Sequence, residues 1–114
     1  MGDEAVEMIA ARFRVLGEVS RLKLIVALED GEKNVSALVA LTGQTQANAS
    51  RQLQALTEAG ILGRRKAGLN VIYRLADKSI FTMCDHICGS LHRRVAAQTD
   101  ALRSIPTKQK ARAH

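Results

Sequence analysis

The chain has 114 residues, 46% of them hydrophobic and only one proline, which fits a single domain with a modest core and excludes disordered and fibrous classes. Its formal net charge of +6 is unevenly placed: residues 1–50 hold five Lys and Arg against seven Asp and Glu, whereas residues 51–114 hold twelve against four. No apolar run approaches the roughly 20 residues needed to span a bilayer, and the acidic, periodic start MGDEAVEMIAARF lacks the features of a secretory signal, so a cytoplasmic protein without a membrane partner is expected.

The first segment, residues 3–16, carries Ala5, Met8, Ile9, Arg12, Phe13 and Leu16 at helical spacing with acids in its first turn, which predicts a first helix. Gly17 interrupts it and Ser20 is placed to cap a second helix, whose Leu22, Leu24, Ile25 and Leu28 make it strongly apolar and which ends before Gly31. Asn34 or Ser36 opens a short third helix with Val35, Leu38, Val39 and Leu41 facing inward, and Gly43 with Gln44 makes a tight turn. Thr45 then caps a four-turn helix that Gly60 stops. Ala49, Leu53 and Leu56 line its inner side, while Ala47, Ser50, Arg51 and Gln54 fall on the outer side. Two short helices joined by a glycine turn make a helix-turn-helix.

After Gly60 the period becomes extended. Ile61 and Leu62, the basic stretch Gly63-Arg64-Arg65-Lys66, a turn over Ala67-Gly68-Leu69-Asn70 and then Val71-Ile72-Tyr73-Arg74-Leu75 predict a hairpin. Its turn is longer than two residues on this reading, so an open, mobile tip is expected. From Asp77 a long last helix follows, with Ile80, Cys84, Ile87, Cys88, Leu91, Val95, Leu102 and Ile105 on one stripe. A helix that outruns the compact part with a continuous apolar stripe packs on another subunit. The organisation expected is therefore one domain over residues 1–105, mainly α with a small β-hairpin, and a mobile basic tail over residues 106–114.

A basic half favours a polyanion. Without an aromatic-edged basic amphipathic helix, double-stranded DNA fits better than a membrane surface. Thr45 opens a helix whose unpaired N–H groups and positive dipole end suit a phosphate, and Gln46, Asn48, Ser50 and Arg51 are side chains able to meet base edges or phosphates. Arg64, Arg65, Lys66 and Asn70 then lie over the adjacent backbone or minor groove. Two plainer explanations compete: wing cations that only protect a strand edge, and a winged helix that binds protein instead of DNA. Nothing in the chain has the pattern of a Gly-rich phosphate loop, H-E-x-x-H or a serine elbow, so an enzyme is not expected and no cofactor is required.

The stretches LGEVSRLKLIVALEDGE, TQANASRQLQALTEAGIL and GLNVIYRL, within residues 16–75, resemble the ArsR/SmtB family of dimeric bacterial repressors. That resemblance implies a winged helix-turn-helix fold, N- and C-terminal helices forming a dimer interface, binding to an inverted repeat as a homodimer, and release by an inducer. The family's inducer sites are not matched. EKNVSAL stands where many relatives carry an arsenic-binding cysteine cluster, and Ser79 replaces the histidine that follows Asp77 in the zinc-type site. His92 with Val95 does not restore the second zinc pair, and Val26 stands near the helix-two cysteine of the redox sensors.

What remains is a C-x3-C-x3-H stripe of Cys84, Cys88 and His92, three side chains that also admit a transition-metal site with the histidine as a ligand. Cβ atoms four apart on a helix are roughly 6 Å apart, beyond the roughly 3.5–4.5 Å of a disulfide, so a direct bridge would distort the helix. Two thiolates at this spacing suit a thiophilic ion such as arsenite or a sulfur-species inducer, with a third ligand from the partner subunit. Equally, both cysteines share the stripe with Ile80, Ile87 and Leu91, where core packing needs no chemistry of them.

Overall fold

The computed structural model describes the backbone of residues 1–103 and the side chains of residues 1–100; the side chains of Leu102 and Ile105 and the tail expected over 106–114 lie outside the described residues. In chain order these are α1 (Asp3–Leu16), α2 (Val19–Ala27), β1 (Lys33–Asn34), α3 (Val35–Thr42), α4 (Gln46–Glu58), β2 (Leu62–Ala67), β3 (Asn70–Leu75) and α5 (Ser79–Arg103). Residues 1–78 form one compact unit and α5 begins a second. The strands make one antiparallel sheet in the order β1-β3-β2.

Local chemistry explains the boundaries. Asn34 caps α3 by accepting a 2.9 Å hydrogen bond from the Ala37 amide, and Gly43 ends the helix at φ 71°, a backbone conformation side chains resist. Thr45 caps α4 by accepting from the Asn48 amide at 3.1 Å. The unit's core is then filled by Leu24 and Ile25 of α2, Leu38 of α3, Ala49, Leu53 and Leu56 of α4, and Ile61, all fully excluded from solvent. α4 packs on α2, α3 and β2 together.

Four expectations are corrected. Ser20 does not cap α2: Glu18 occupies that position, and the Ser20 hydroxyl donates to Glu18 Oε1 at 2.6 Å instead of accepting from the backbone. Leu41 does not face inward but is 61% exposed, because α3 spans only two turns and buries Leu38 while its last turn leaves the core. The hairpin turn is a two-residue one, since Ala67 pairs with Asn70 and only Gly68 and Leu69 lie between. Gly68 takes φ 64° and Leu69 does not take a positive φ, the pattern of a glycine-first turn whose twist matches its strands. Finally, the hairpin carries a third strand: Lys33 pairs with Tyr73 and Asn34 with Ile72.

At the exit of α2, Lys33 Nζ donates to Asp30, and that ammonium holds the Asp30 carboxyl below the usual carboxylate range. The lowered value means the pair supports the fold above the ordinary carboxylate range and is lost as pH falls through the lowered one. At an exposed site its contribution is small.

Leu53→Ala is expected to destabilise the protein by about 2–5 kcal/mol, the cost of a cavity at a fully enclosed leucine. A shift of the urea midpoint at unchanged slope checks this, and a change below about 1 kcal/mol would mean that the site collapses around the smaller side chain.

Candidate nucleic-acid interface

α4 divides into three strips. Ala49, Leu53 and Leu56 are its buried strip, and Gln46, Ala47, Ser50, Arg51, Gln54 and Glu58 are its exposed strip. Between them runs a half-buried polar seam of Asn48 and Gln52, continued by Gln44 in the turn before the helix, the three spaced four apart. Gln44 Nε2 donates to the Ser20 carbonyl at 2.9 Å, and Asn48 Nδ2 donates to Gln44 Oε1 at 2.9 Å. Gln52 Nε2 donates to Asn48 Oδ1 at 3.4 Å, and Arg21 Nε donates to Gln52 Oε1 at 2.8 Å. Glu18 closes the circuit, lying 3.4 Å from Arg21 Nε and accepting from the Ser20 hydroxyl. The start of α2 and the first half of α4 are thus stitched by hydrogen bonds running from the Ser20 carbonyl through Gln44, Asn48 and Gln52 to Arg21, with the Glu18 ion pair completing the circuit, and no member is left buried without a partner.

Two guanidiniums extend the ring to α1. Arg21 Nη1 donates to the Val15 carbonyl at 3.1 Å in the last turn of α1, and Arg12 Nη1 donates to the Ala59 carbonyl at 3.3 Å just beyond α4. α4 is therefore tied to the first helix directly at its C-terminal end by Arg12, and at Gln52, in its middle, by way of Arg21. Elsewhere α1 is bare: Val6, Met8, Ile9 and Phe13 are 41–69% exposed, and Leu16 is its one buried residue.

The expected DNA-contact residues fall into distinct settings. Thr45 is engaged as the cap, while Gln46 and Ser50 stand exposed. Asn48 is half-buried with both ends of its amide engaged in the seam, and its Oδ1 also accepts from Arg51 Nη2 at 3.3 Å. Its visible role is to orient Arg51, whose side chain stays on the exposed strip. In the wing, Arg64, Arg65, Lys66 and Asn70 are all exposed, but Arg64 and Lys66 share one face with Tyr73 and Val71, while Arg65 and Asn70 are on the opposite face. Sequence reasoning missed Arg21, Gln52 and Gln44 as a group; the signal was a row of amides at four-residue spacing beside an apolar row, with an arginine at the start of the preceding helix.

Considered by itself, α5 carries Cys84 half-buried and Cys88 exposed, with no disulfide, and Ile87, Leu91 and Val95 are 48–59% exposed. His92 is exposed as well. Among the described residues no three His, Cys, Asp or Glu side chains converge as a metal site would require. None of the described helices is long and apolar enough to cross a membrane.

A capped helix with a polar outer strip, set against a preceding short helix and followed by a basic hairpin, defines the winged helix-turn-helix class of transcriptional regulators. Residues 18–63 match the family described as bacterial regulatory protein, arsR family. A transcriptional repressor SmtB homolog from Synechocystis is 33% identical over 89 residues, spanning 78% of this chain and 67% of that protein. The AntR antimony-specific transcriptional repressor superposes with a TM-score of 0.71 at 30% identity, covering 85% of this chain and 86% of its own. The regulator Rv0324 of Mycobacterium tuberculosis is 31% identical over 74 residues, 65% of this chain, which spans only about a third (33%) of that longer protein. The chain belongs to the ArsR family of transcriptional regulators, and the relatives it matches are regulators, not enzymes.

Arg21→Ala and Gln52→Ala are each expected to cost about 1–2 kcal/mol, because each strands polar groups of the seam. Their double variant should cost less than the sum by about 0.5 kcal/mol or more, measured by chemical denaturation; strict additivity would mean that the ring does not act as a unit.

Proposed function

We propose that the protein is a homodimeric repressor that binds an inverted repeat in double-stranded DNA and is released by a thiol-directed effector at Cys84 and Cys88. The observation that carries the DNA reading is the exposed strip of α4, where Gln46, Ser50 and Arg51 stand free of the core on a helix whose opposite side is fully buried. Those side chains match base edges in a major groove, with Arg51 directed by Asn48 toward guanine or a phosphate. The amino end of α4, capped by Thr45, lies against the backbone, and Arg64, Lys66 and Asn70 of the wing add salt-dependent contacts, while Arg65, expected beside them, is engaged by Glu32. Asn48 contributes to base reading through Arg51.

The dimer is supported by two bare apolar faces. Val6, Met8, Ile9 and Phe13 on α1, and Ile87, Leu91 and Val95 on α5, are large apolar side chains left 41–69% exposed, the kind of surface that marks an interaction site when it is contiguous. A second copy covers both, and a twofold dimer presents two α4 helices to half-sites one helical turn or more apart.

The effector reading rests on Cys84 and Cys88, one turn apart on α5 with Cys88 open to reagents. AntR, an antimony-specific repressor at 30% identity, makes a soft thiophilic ion a fitting class, with a third ligand from the second copy. Binding or oxidation at the pair shifts α5 in the interface and alters the separation of the two α4 helices.

Fluorescence anisotropy on promoter DNA tests both parts. Arg51→Ala should lose about 1–3 kcal/mol of specific binding; a variant of full affinity would remove Arg51 from the interface. Arsenite, antimonite, cadmium, peroxide or polysulfide should release the wild-type dimer but leave Cys84→Ser and Cys88→Ser bound. Release of the serine variants at the same dose would return both cysteines to a packing role.

A further inference from the structure

The three consecutive cations of the wing are not equivalent. Arg65, paired with Ile72, projects from the face opposite Arg64 and Lys66. β1 runs on the other side of β3 with Asn34 opposite Ile72, so Glu32, two residues before Asn34, lies on the same face as Arg65. There Arg65 Nε and Nη2 each lie 2.9 Å from Glu32 Oε2, a contact that reaches across β3 between residues 33 apart in sequence. Arg74 shares this face and lies over Gly63 so closely that a Cβ there would come within 2.6 Å of its guanidinium carbon. Arg65 is therefore the guanidinium of this face that Glu32 engages, while that of Arg74 lies over Gly63.

Both partners keep solvent access, 55% for the Arg65 side chain and 41% for that of Glu32, so the pair adds little to the stability of the fold. Its consequence is what it withholds. The Nε and Nη2 edge of a guanidinium is the edge that takes a phosphate bidentately, and Glu32 already occupies it. Loss of a competing carboxylate would return that edge to any phosphate within reach, whatever the base sequence.

We propose that Glu32 sets the strength of sequence-independent DNA binding by holding Arg65 away from the phosphate backbone, leaving Arg64 and Lys66 as the cations of the wing that engage it. The inference rests on the DNA reading above. Bulk basicity is then no measure of non-specific affinity in this protein, and selection falls more heavily on Gln46, Ser50 and Arg51.

The test uses the full chain as wild type, Glu32→Gln, Arg65→Gln and the double variant, titrated against a random-sequence duplex over a series of salt concentrations. Glu32→Gln is expected to tighten binding and to steepen the slope of log K against log salt by about 0.9, the increment for one additional phosphate contact. Arg65→Gln alone should leave the slope unchanged, whereas in the Glu32→Gln background it should cancel the gain. A gain that survives in the double variant would reflect only the loss of a negative charge near DNA and would overturn the proposal. So would an Arg65→Gln protein whose slope falls by about 0.9 in the wild-type background, since Arg65 would then already be on a phosphate. Either of these outcomes leaves the DNA reading standing; a wild-type protein with no salt-dependent binding to any duplex overturns both.

Discussion

The burial of Ala49, Leu53 and Leu56 is the constraint on which everything else in the first unit depends. These three residues have no solvent exposure, and the elements that cover them are α2, α3 and β2. Each leucine carries about 1.5–3 kcal/mol of transfer free energy, so α4 cannot rotate about its axis without uncovering several kcal/mol of apolar surface. A helix fixed in rotation presents a fixed outer strip. The positions of Gln46, Ser50 and Arg51 are therefore set from behind, by packing, before any ligand is met.

Packing fixes rotation but is non-directional along the axis, and here the polar seam supplies the missing restraint. Hydrogen bonds need their partners within a few tenths of an ångström, so the circuit through Ser20, Gln44, Asn48, Gln52 and Arg21 fixes the register of α4 on the start of α2. The amides also keep the edge of the core dry without leaving unsatisfied groups there, which an apolar residue at Asn48 or Gln52 would not do for Arg21 and Gln44. Arg51 benefits directly, since Asn48 holds one of its donors in place.

Most of this architecture was legible because caps and periodicity act locally. Asn34, Gly43 and Thr45 mark their boundaries by chemistry that needs no distant partner, and the 3-and-4 spacing in α4 names its buried face outright. What was not legible depends on partners far along the chain. β1 is two residues long and has no strand signal of its own; it exists because β3 offers it an unpaired edge. The tightness of the hairpin turn was hidden by Leu69, an apolar residue standing fully in solvent where a polar one would have marked the turn. Likewise Asn48 looks like a reader of bases in sequence, since nothing local says that Gln44 and Gln52 will occupy its amide. The Glu32 contact to Arg65 was equally out of reach, because its two ends meet only once β1, β3 and β2 are aligned.

The same tie that fixes α4 also determines how a change elsewhere reaches it. α1 is bound to α4 through the Arg12 contact at Ala59 and the Arg21 contact at Val15, while its outward face is apolar and bare. If a second copy covers that face, as proposed, the subunit interface and the recognition helix are separated by two guanidiniums and no flexible linker. Hydrogen bonds of this kind transmit displacement better than they absorb it, because a stretch of half an ångström already forfeits most of their geometry. A shift of the interface would then move α4 as part of a rigid body and change the spacing of the two recognition helices while leaving each one's fold intact. A repeat of fixed half-site separation is intolerant of such a change, so a small rearrangement at the interface suffices to disfavour the DNA-bound state.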